Sequence, residues 1–476
     1  MPTPPRPPAA TDRTPRAHWA VVGGGMLGMT LAHELRKRGV RVTLLEAAPE
    51  LGGLASAWTL NDAQSGRQVT WDRHYHVTLL SDTRLRRLLE EIGLADELRF
   101  VETKTGFYTG GRMHSMSSTL EFLTFPPLRL LEKLRLGATI FAASKMRDWR
   151  RLERVPVTDW LRRWSGDGAF EKVWLPLLQA KLGDAHKRVS AAFIWAHISR
   201  MYAARRTGHK KEMFGYVPGG YARLLERFAD VLDEAGVDLC TDAPVAAAVA
   251  RPGGGVELRL ADEGGSMAFD HVVFTTPSSV VARVVPGLSD EERRRHEGIE
   301  YLGIVCASLL LKKPITEYYV TNITDGWVPL TAVIEMTTLV DPAELGGRFL
   351  VYLPKYATGD DPVFDRSDDE LREEWLAALE KMHPGFSRDD VVAMRFSRVR
   401  SVMALPTLGY SERLPPMQTS VPGVWVVNSA HILKGNLNVN ETIQVADQAI
   451  AGPLAAALQA PPRRPDALPD AALAAS

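Results

Sequence analysis

The chain has 476 residues, 45% hydrophobic and 24% charged, a composition of soluble globular proteins with room for two large cores. Lysine plus arginine equals aspartate plus glutamate at 57 each, so no global charge argues for nucleic acid or for acidic partners. Cys240 and Cys306 are too few for a disulfide framework, and the simplest compartment is a reducing cytoplasm.

Residues 1–17 are proline-rich, lack the apolar region of a signal peptide and read as a disordered lead; 459–476 read as a disordered tail. No run of ~20 apolar residues occurs, so no membrane-spanning helix is expected. Residues 19–22 then form a short apolar run that reads as a buried parallel strand. Gly23, Gly25 and Gly28 follow as GxGxxG and lead into a helical pattern over 26–38. A second β-branched run, 40–45, ends on Glu46.

That is a βαβ unit with its glycines where a dinucleotide needs them. Gly23 allows the tight turn, Gly25 lets backbone approach a pyrophosphate, and Gly28 lets helix and strand pack closely. The helix N-terminus offers free N–H groups and the positive end of its dipole to phosphate. Glu46 is placed to accept hydrogen bonds from an adenosine ribose, and its charge disfavours the 2′-phosphate of NADP.

Beyond Glu46 comes the pair Gly52-Gly53. An acid followed by such a pair resembles the two-dinucleotide-binding-domain flavoproteins, more narrowly the amine oxidase, protoporphyrinogen oxidase and phytoene desaturase group. Spacing alone does not choose the dinucleotide; the resemblance selects FAD over NAD. It implies an α/β protein: a Rossmann-like FAD-binding domain of discontinuous segments, plus a mixed β-sheet substrate domain with a helical cap. The FAD-binding segments would be 18–80, 215–285 and 421–458, with 81–214 and 286–420 forming the substrate domain. The implied cofactor contacts are Gly23, Gly25, Met26, Leu27 and Gly28, then Glu46 and Ala47, then Gly53, Leu54 and Ala55. Val245 would meet the adenine, Thr276 would lie in a small-residue turn under the cofactor, and Asn428 would meet a ribityl hydroxyl.

Residues 69–77 read as a strand that the resemblance brings beside the flavin ring. Arg73, His74 and His76 are the candidate catalytic residues, because imidazoles exchange protons near neutral pH and a guanidinium pairs anions. Along a strand His74 and His76 point one way and Tyr75 the other. No third ligand stands at a metal-like spacing, so no metal site is expected.

Residues 81–98 read as an amphipathic helix, and 100–116 as a hairpin around Gly110-Gly111. The pattern over 117–206 is helical, with breaks at 125–127, 155–156 and 174–176. Between Arg129 and Arg154 eight basic residues stand against three acidic ones, beside several leucines, which suggests a membrane-surface helix. Residues 302–311, 330–338 and 348–352 read as strands, and alternation turns Glu335 toward solvent or a cavity. Lys355 reads as a surface lysine, the resemblance offering instead the lysine that some amine oxidases set near flavin N5, and one of Arg395, Arg398 and Arg400 is a candidate to face an anionic substrate.

The resulting expectation is an FAD-dependent oxidoreductase, an oxidase or desaturase that takes hydride from a C–H or C–N bond. Its substrate would be a small organic or lipid-like molecule. No second GxGxxG with strand and helix occurs, so no separate pyridine-nucleotide domain is expected. The absence of cysteine after Cys306 excludes the C-terminal cysteinyl-flavin link of some monoamine oxidases. The alternatives are a non-redox flavin isomerase resembling UDP-galactopyranose mutase, and a flavin-fold binding protein. The protein is expected in the cytoplasm, with peripheral contact at the inner face of the membrane. Its oligomeric state is not indicated.

Overall fold

The computed structural model describes residues 17–62, 64–205, 213–261 and 265–459. The expected lead and tail lie almost wholly outside these.

The anticipated βαβ unit forms: strand His18–Val22, helix Met26–Lys37 and strand Arg41–Leu45. Both strands are buried nearly throughout, and they join a five-stranded parallel sheet. Its order is Asp238–Cys240, Arg41–Leu45, His18–Val22, His271–Phe274 and Val424–Val426. Chain segments far apart in sequence therefore meet in one sheet. The helices Met26–Lys37, Gly220–Glu234 and Val439–Ala451 share one apolar core against it, with Leu31, Leu35, Phe228 and Ile443 at its centre.

The second large sheet has seven strands and is built mainly from Val391–Ala404, Tyr301–Leu311, Phe349–Thr358 and Ala332–Glu335. Val391–Ala404 was not anticipated as a strand. Its arginines obscured the pattern, and each is held by protein. Arg395 stacks on Trp58 and donates to Thr59 O, Arg398 pairs with Asp368, and Arg400 pairs with Asp365. The reading of these arginines as substrate ligands is corrected accordingly. Glu335 is also corrected: it is fully buried, where its carboxylate accepts from Ile315 N at 2.9 Å and from the Thr337 hydroxyl. Burial pushes its pKa up to about 7.

Short helices fill the stretch between these sheets, chiefly Leu130–Lys145, Val157–Ser165, Leu175–Leu182 and Ala191–Arg205. The break anticipated at 174–176 does not occur. A wide π-helical turn, Phe170–Trp174, leads straight into Leu175–Leu182, and this local widening is where the continuous helix accommodates Pro176. The basic stretch is likewise not one helix. It ends at Lys145, and a separate short helix covers Trp149–Glu153.

Candidate functional site

The glycine loop is shaped by its neighbours. Gly23 has φ +108°, and a side chain there would meet the Thr275 hydroxyl at 2.5 Å. A Cβ on Gly28 would lie 1.8 Å from the Gly23 carbonyl, so that glycine is required by packing alone. Gly25 differs. Its φ is −71°, and the nearest atoms to a Cβ would be Gly52 O and Gly53 Cα, both at 3.9 Å. Nothing among the described residues demands glycine there.

Gly25 is also the N-cap of the helix Met26–Lys37, with no side-chain cap and no acid in the first turn. The first-turn N–H groups, including those of Met26 and Leu27, stay free for an anion. Glu46 stands beside this loop, its carboxylate fixed by Gly24 N at 2.6 Å and Ala48 N at 2.9 Å. A carboxylate has about four acceptor positions, which leaves two for ribose hydroxyls. Ala47 lies between these anchors. Gly52, at φ +115°, brings the turn Gly53–Ala55 against Gly25 through the bond Gly52 N to Gly24 O, 2.8 Å. An open glycine, an uncapped helix end and a fixed acid thus converge, and they suit the phosphates and ribose of FAD.

Two further expected contacts lie on neighbouring segments. Ala243 N bonds Glu46 O at 2.8 Å, which sets Val245 two residues from the acid's strand end. Asn428 is buried, and its side chain is occupied: its amide donates to Thr276 O at 2.9 Å and to Ser278 Oγ at 3.2 Å, and its oxygen accepts from Ala430 N. It locks the Thr276 turn in place and commits both of its amide hydrogens there.

The strand at 69–77 is shorter than anticipated and ends at Asp72. Asp72 is tied from afar, with Tyr221 N on its carboxylate at 2.7 Å and the Tyr352 hydroxyl on its carbonyl at 2.6 Å. Residues 73–77 therefore leave the ladder, and the expected alternation is lost. Arg73 stacks on Trp58 and its N–H meets Ser56 O. His74 is buried behind the turn Gly53–Ala55, with Nδ1 3.2 Å from Leu54 O. Burial pushes its pKa down to about 4, so it is neutral at working pH and does not exchange protons near neutrality. His76 stacks on Tyr221, its Nδ1 3.8 Å from Asp72.

Tyr75, expected to face away, instead reaches another cluster. Its hydroxyl meets that of Tyr356 at 3.0 Å. The Lys181 ammonium stands 2.9 Å above the Tyr356 ring centroid, and His197 meets Asn436 at 3.2 Å. His197 is exposed to solvent, and Lys181 partly so. Burial nevertheless pushes their pKa values down, to about 4 and about 7. Side chains that reach solvent yet are desolvated by the surrounding protein stand in a recess rather than on an open face. The recess is bordered by the cap helices Leu175–Leu182 and Ala191–Arg205, the strand Phe349–Thr358 and the loop carrying Asn436, which contribute Lys181, His197, Tyr356 and Asn436. Sequence reasoning passed over Lys181 and His197, each lying within an otherwise helical apolar pattern. Among the described residues no group of His, Cys, Asp or Glu has the arrangement of a metal site.

Comparison with known proteins agrees with this geometry. The flavin containing amine oxidoreductase family matches residues 27–436. The chain is 26% identical to a carotenoid phi-ring synthase of Streptomyces griseus, over 86% of this chain and 81% of that one. A zeta-carotene desaturase of Synechocystis sp. is 26% identical over 47% of this chain and 48% of its own. Among solved structures, putrescine oxidase bound to putrescine has the same fold, with TM-score 0.70, 19% identity and 93% and 100% of the two chains covered. A family match over most of the chain, on a fold that supplies the dinucleotide loop, makes this protein a member of the flavin containing amine oxidoreductases, an FAD-dependent oxidoreductase.

Proposed function

We propose that this enzyme dehydrogenates an apolar, lipid-like molecule in the cavity between the helical cap and the seven-stranded sheet. The observation that carries the reading is the unpaired amine of Lys181 over the Tyr356 ring. Lys181 has no hydrogen bond or ion pair to any described residue, and burial is the one cause of its lowered pKa. A cationic amine entering there would be repelled by the protonated lysine and would gain no anionic partner from the neutral one, since like charges at close range in a low-dielectric site are costly. A neutral, apolar chain would meet no such penalty, and the apolar cluster that includes Trp195, Met403 and Leu433 adjoins the recess at Tyr356. The carotenoid names of two relatives point the same way.

On this reading FAD is held by Gly23, Gly25, Met26, Leu27, Gly28, Glu46, Ala47 and the turn 53–55, with Val245 and Thr276 flanking it. Bound FAD supplies the hydride acceptor. The protein's part is to orient the substrate and exclude water from it. Anaerobic holoenzyme should lose its yellow flavin band when mixed with ζ-carotene in detergent, and keep it with putrescine. Bleaching at catalytic speed by putrescine would reverse the proposal.

We also propose peripheral contact with the inner face of the membrane, through an apolar face rather than the basic run. Leu120, Leu130, Leu131, Leu134 and Phe141 are exposed, Leu131 by 75%. Several basic residues nearby are already engaged: Lys133 donates to Leu123 O, Arg135 to Arg163 O, and Arg154 pairs with Glu412. Arg129, Lys145, Arg147 and Arg150 remain at the surface to meet anionic headgroups. Among the described residues no helix is long and apolar enough to cross a membrane. Burying a leucine is worth about 1.5–3 kcal/mol, so Leu131→Glu with Leu134→Glu should abolish co-sedimentation with phosphatidylglycerol vesicles. Equal sedimentation of the parent and this variant would remove the face from consideration.

A further inference from the structure

The Lys181 amine is held in place by more than its own helix. Thr331 donates its hydroxyl to Ala180 O at 2.7 Å and accepts from Tyr356 N at 3.1 Å. One threonine thus ties the end of the helix Leu175–Leu182 to the strand beneath it. The amine cannot leave the Tyr356 ring by a simple swing of either element. A buried ammonium loses its hydration, and a ring face on one side returns a small part of it. Three N–H donors remain to be filled.

We propose that the substrate of this cavity is an apolar chain ending in a carboxylate, and that the carboxylate pairs with Lys181. This rests on the lipid-like reading above and names the end group. The polar end of the cavity is rich in donors and poor in acids. Beside the amine stand the His197 imidazole with the Asn436 amide and the Tyr75–Tyr356 hydroxyl pair. Several charged groups on the packed elements are already paired. Asp184 pairs with Lys187 at 2.8 Å, Glu132 with Lys172 at 2.9 Å, and Asp82 with Arg200 at 3.0 Å. His186 bonds Gly183 O, and the Tyr352 hydroxyl bonds Asp72 O. Lys355 precedes Tyr356 on its strand and so projects from the opposite face. Glu441 feels Arg200, Arg84 and Asp82. A pure hydrocarbon would leave the amine unpaired, and a phosphate ester would bring a second charge with one cation to meet it. A single carboxylate matches.

Pairing favours the charged amine, so carboxylate binding must draw in a proton wherever free Lys181 is neutral. The test uses the FAD-loaded enzyme with retinoate and retinol, which share a polyene chain and differ at its end. Calorimetry at about pH 8 in two buffers of different ionisation enthalpy counts the protons taken up. Retinoate should bind about 10- to 100-fold more tightly than retinol, the worth of one charge-assisted hydrogen bond, with uptake approaching one proton. K181M should lower retinoate to the affinity of retinol and abolish the uptake while retaining FAD. K181R, permanently charged, should keep the affinity and lose the uptake. Equal binding of both probes, or retinoate binding unchanged in K181M, overturns the Lys181 assignment and leaves the apolar cavity standing. Binding of neither probe overturns both.

Discussion

Gly25→Val is expected to give a folded protein that no longer holds FAD. Gly25 has an ordinary φ of −71°, so valine suffers no left-handed strain. Its Cβ would find Gly52 O and Gly53 Cα at 3.9 Å, which is normal contact. The fold therefore has little reason to object. The branches of the side chain would, however, stand over the free N–H groups that the pyrophosphate must reach. Gly28→Val is the contrasting variant: its Cβ would collide with the Gly23 carbonyl at 1.8 Å, and the whole βαβ unit should be destabilised. The measurement is flavin absorbance of the purified proteins, with circular dichroism to follow folding. Gly25→Val should be colourless yet keep the far-ultraviolet spectrum of parental apoprotein. It should also lose the thermal stabilisation that added FAD gives the parent, about 2.7 kcal/mol at a hundredfold excess over Kd. Stoichiometric FAD in this variant would remove the glycine loop from the cofactor site.

The contrast between these glycines also shows how much was legible in the sequence. The βαβ unit could be read because its determinants are local: an apolar run, a turn, a helix and an acid within thirty residues. The strand at 69–77 was misjudged because its end is set at long range. Tyr221 and Tyr352 both claim Asp72, and the chain after it leaves the ladder. With that, Tyr75 turned toward the cavity and His74 into the protein interior. Glu335 follows the same logic. Alternation placed it opposite its neighbours, yet both faces of that strand are covered, so period two no longer distinguishes core from solvent. Lys181 lies in LPLLQAKL, a pattern any amphipathic helix would show. Its character comes from Tyr356, which no local rule connects to it.

Acidification from pH 7 to 5 is expected to cost this protein several kcal/mol of stability, and buried histidines are the reason. His74, His296 and His383 are 7%, 1% and 8% exposed, and burial pushes each pKa down to about 4. For a base with a depressed folded pKa, the unfolded chain binds the proton first. Stability therefore falls as pH drops below the unfolded value near 6.5, and levels off at the folded value near 4. Over pH 7 to 5 each histidine contributes a loss of about 2 kcal/mol. Glu335 acts in the opposite sense. Its folded pKa is raised to about 7, so protonation in the native state returns about 2 kcal/mol over the same interval. These four groups together then lose about 4 kcal/mol, and His197, also lowered to about 4, deepens the loss, well before the paired surface carboxylates begin to titrate. Urea unfolding of the apoprotein at both pH values should show a lower midpoint at pH 5 with an unchanged slope. His383→Gln should shrink the difference by about 2 kcal/mol, since its imidazole ends the helix Asp368–Met382 and Nε2 has no partner among the described residues. A midpoint that stays level or rises from pH 7 to 5 would mean that these imidazoles reach water in the folded protein.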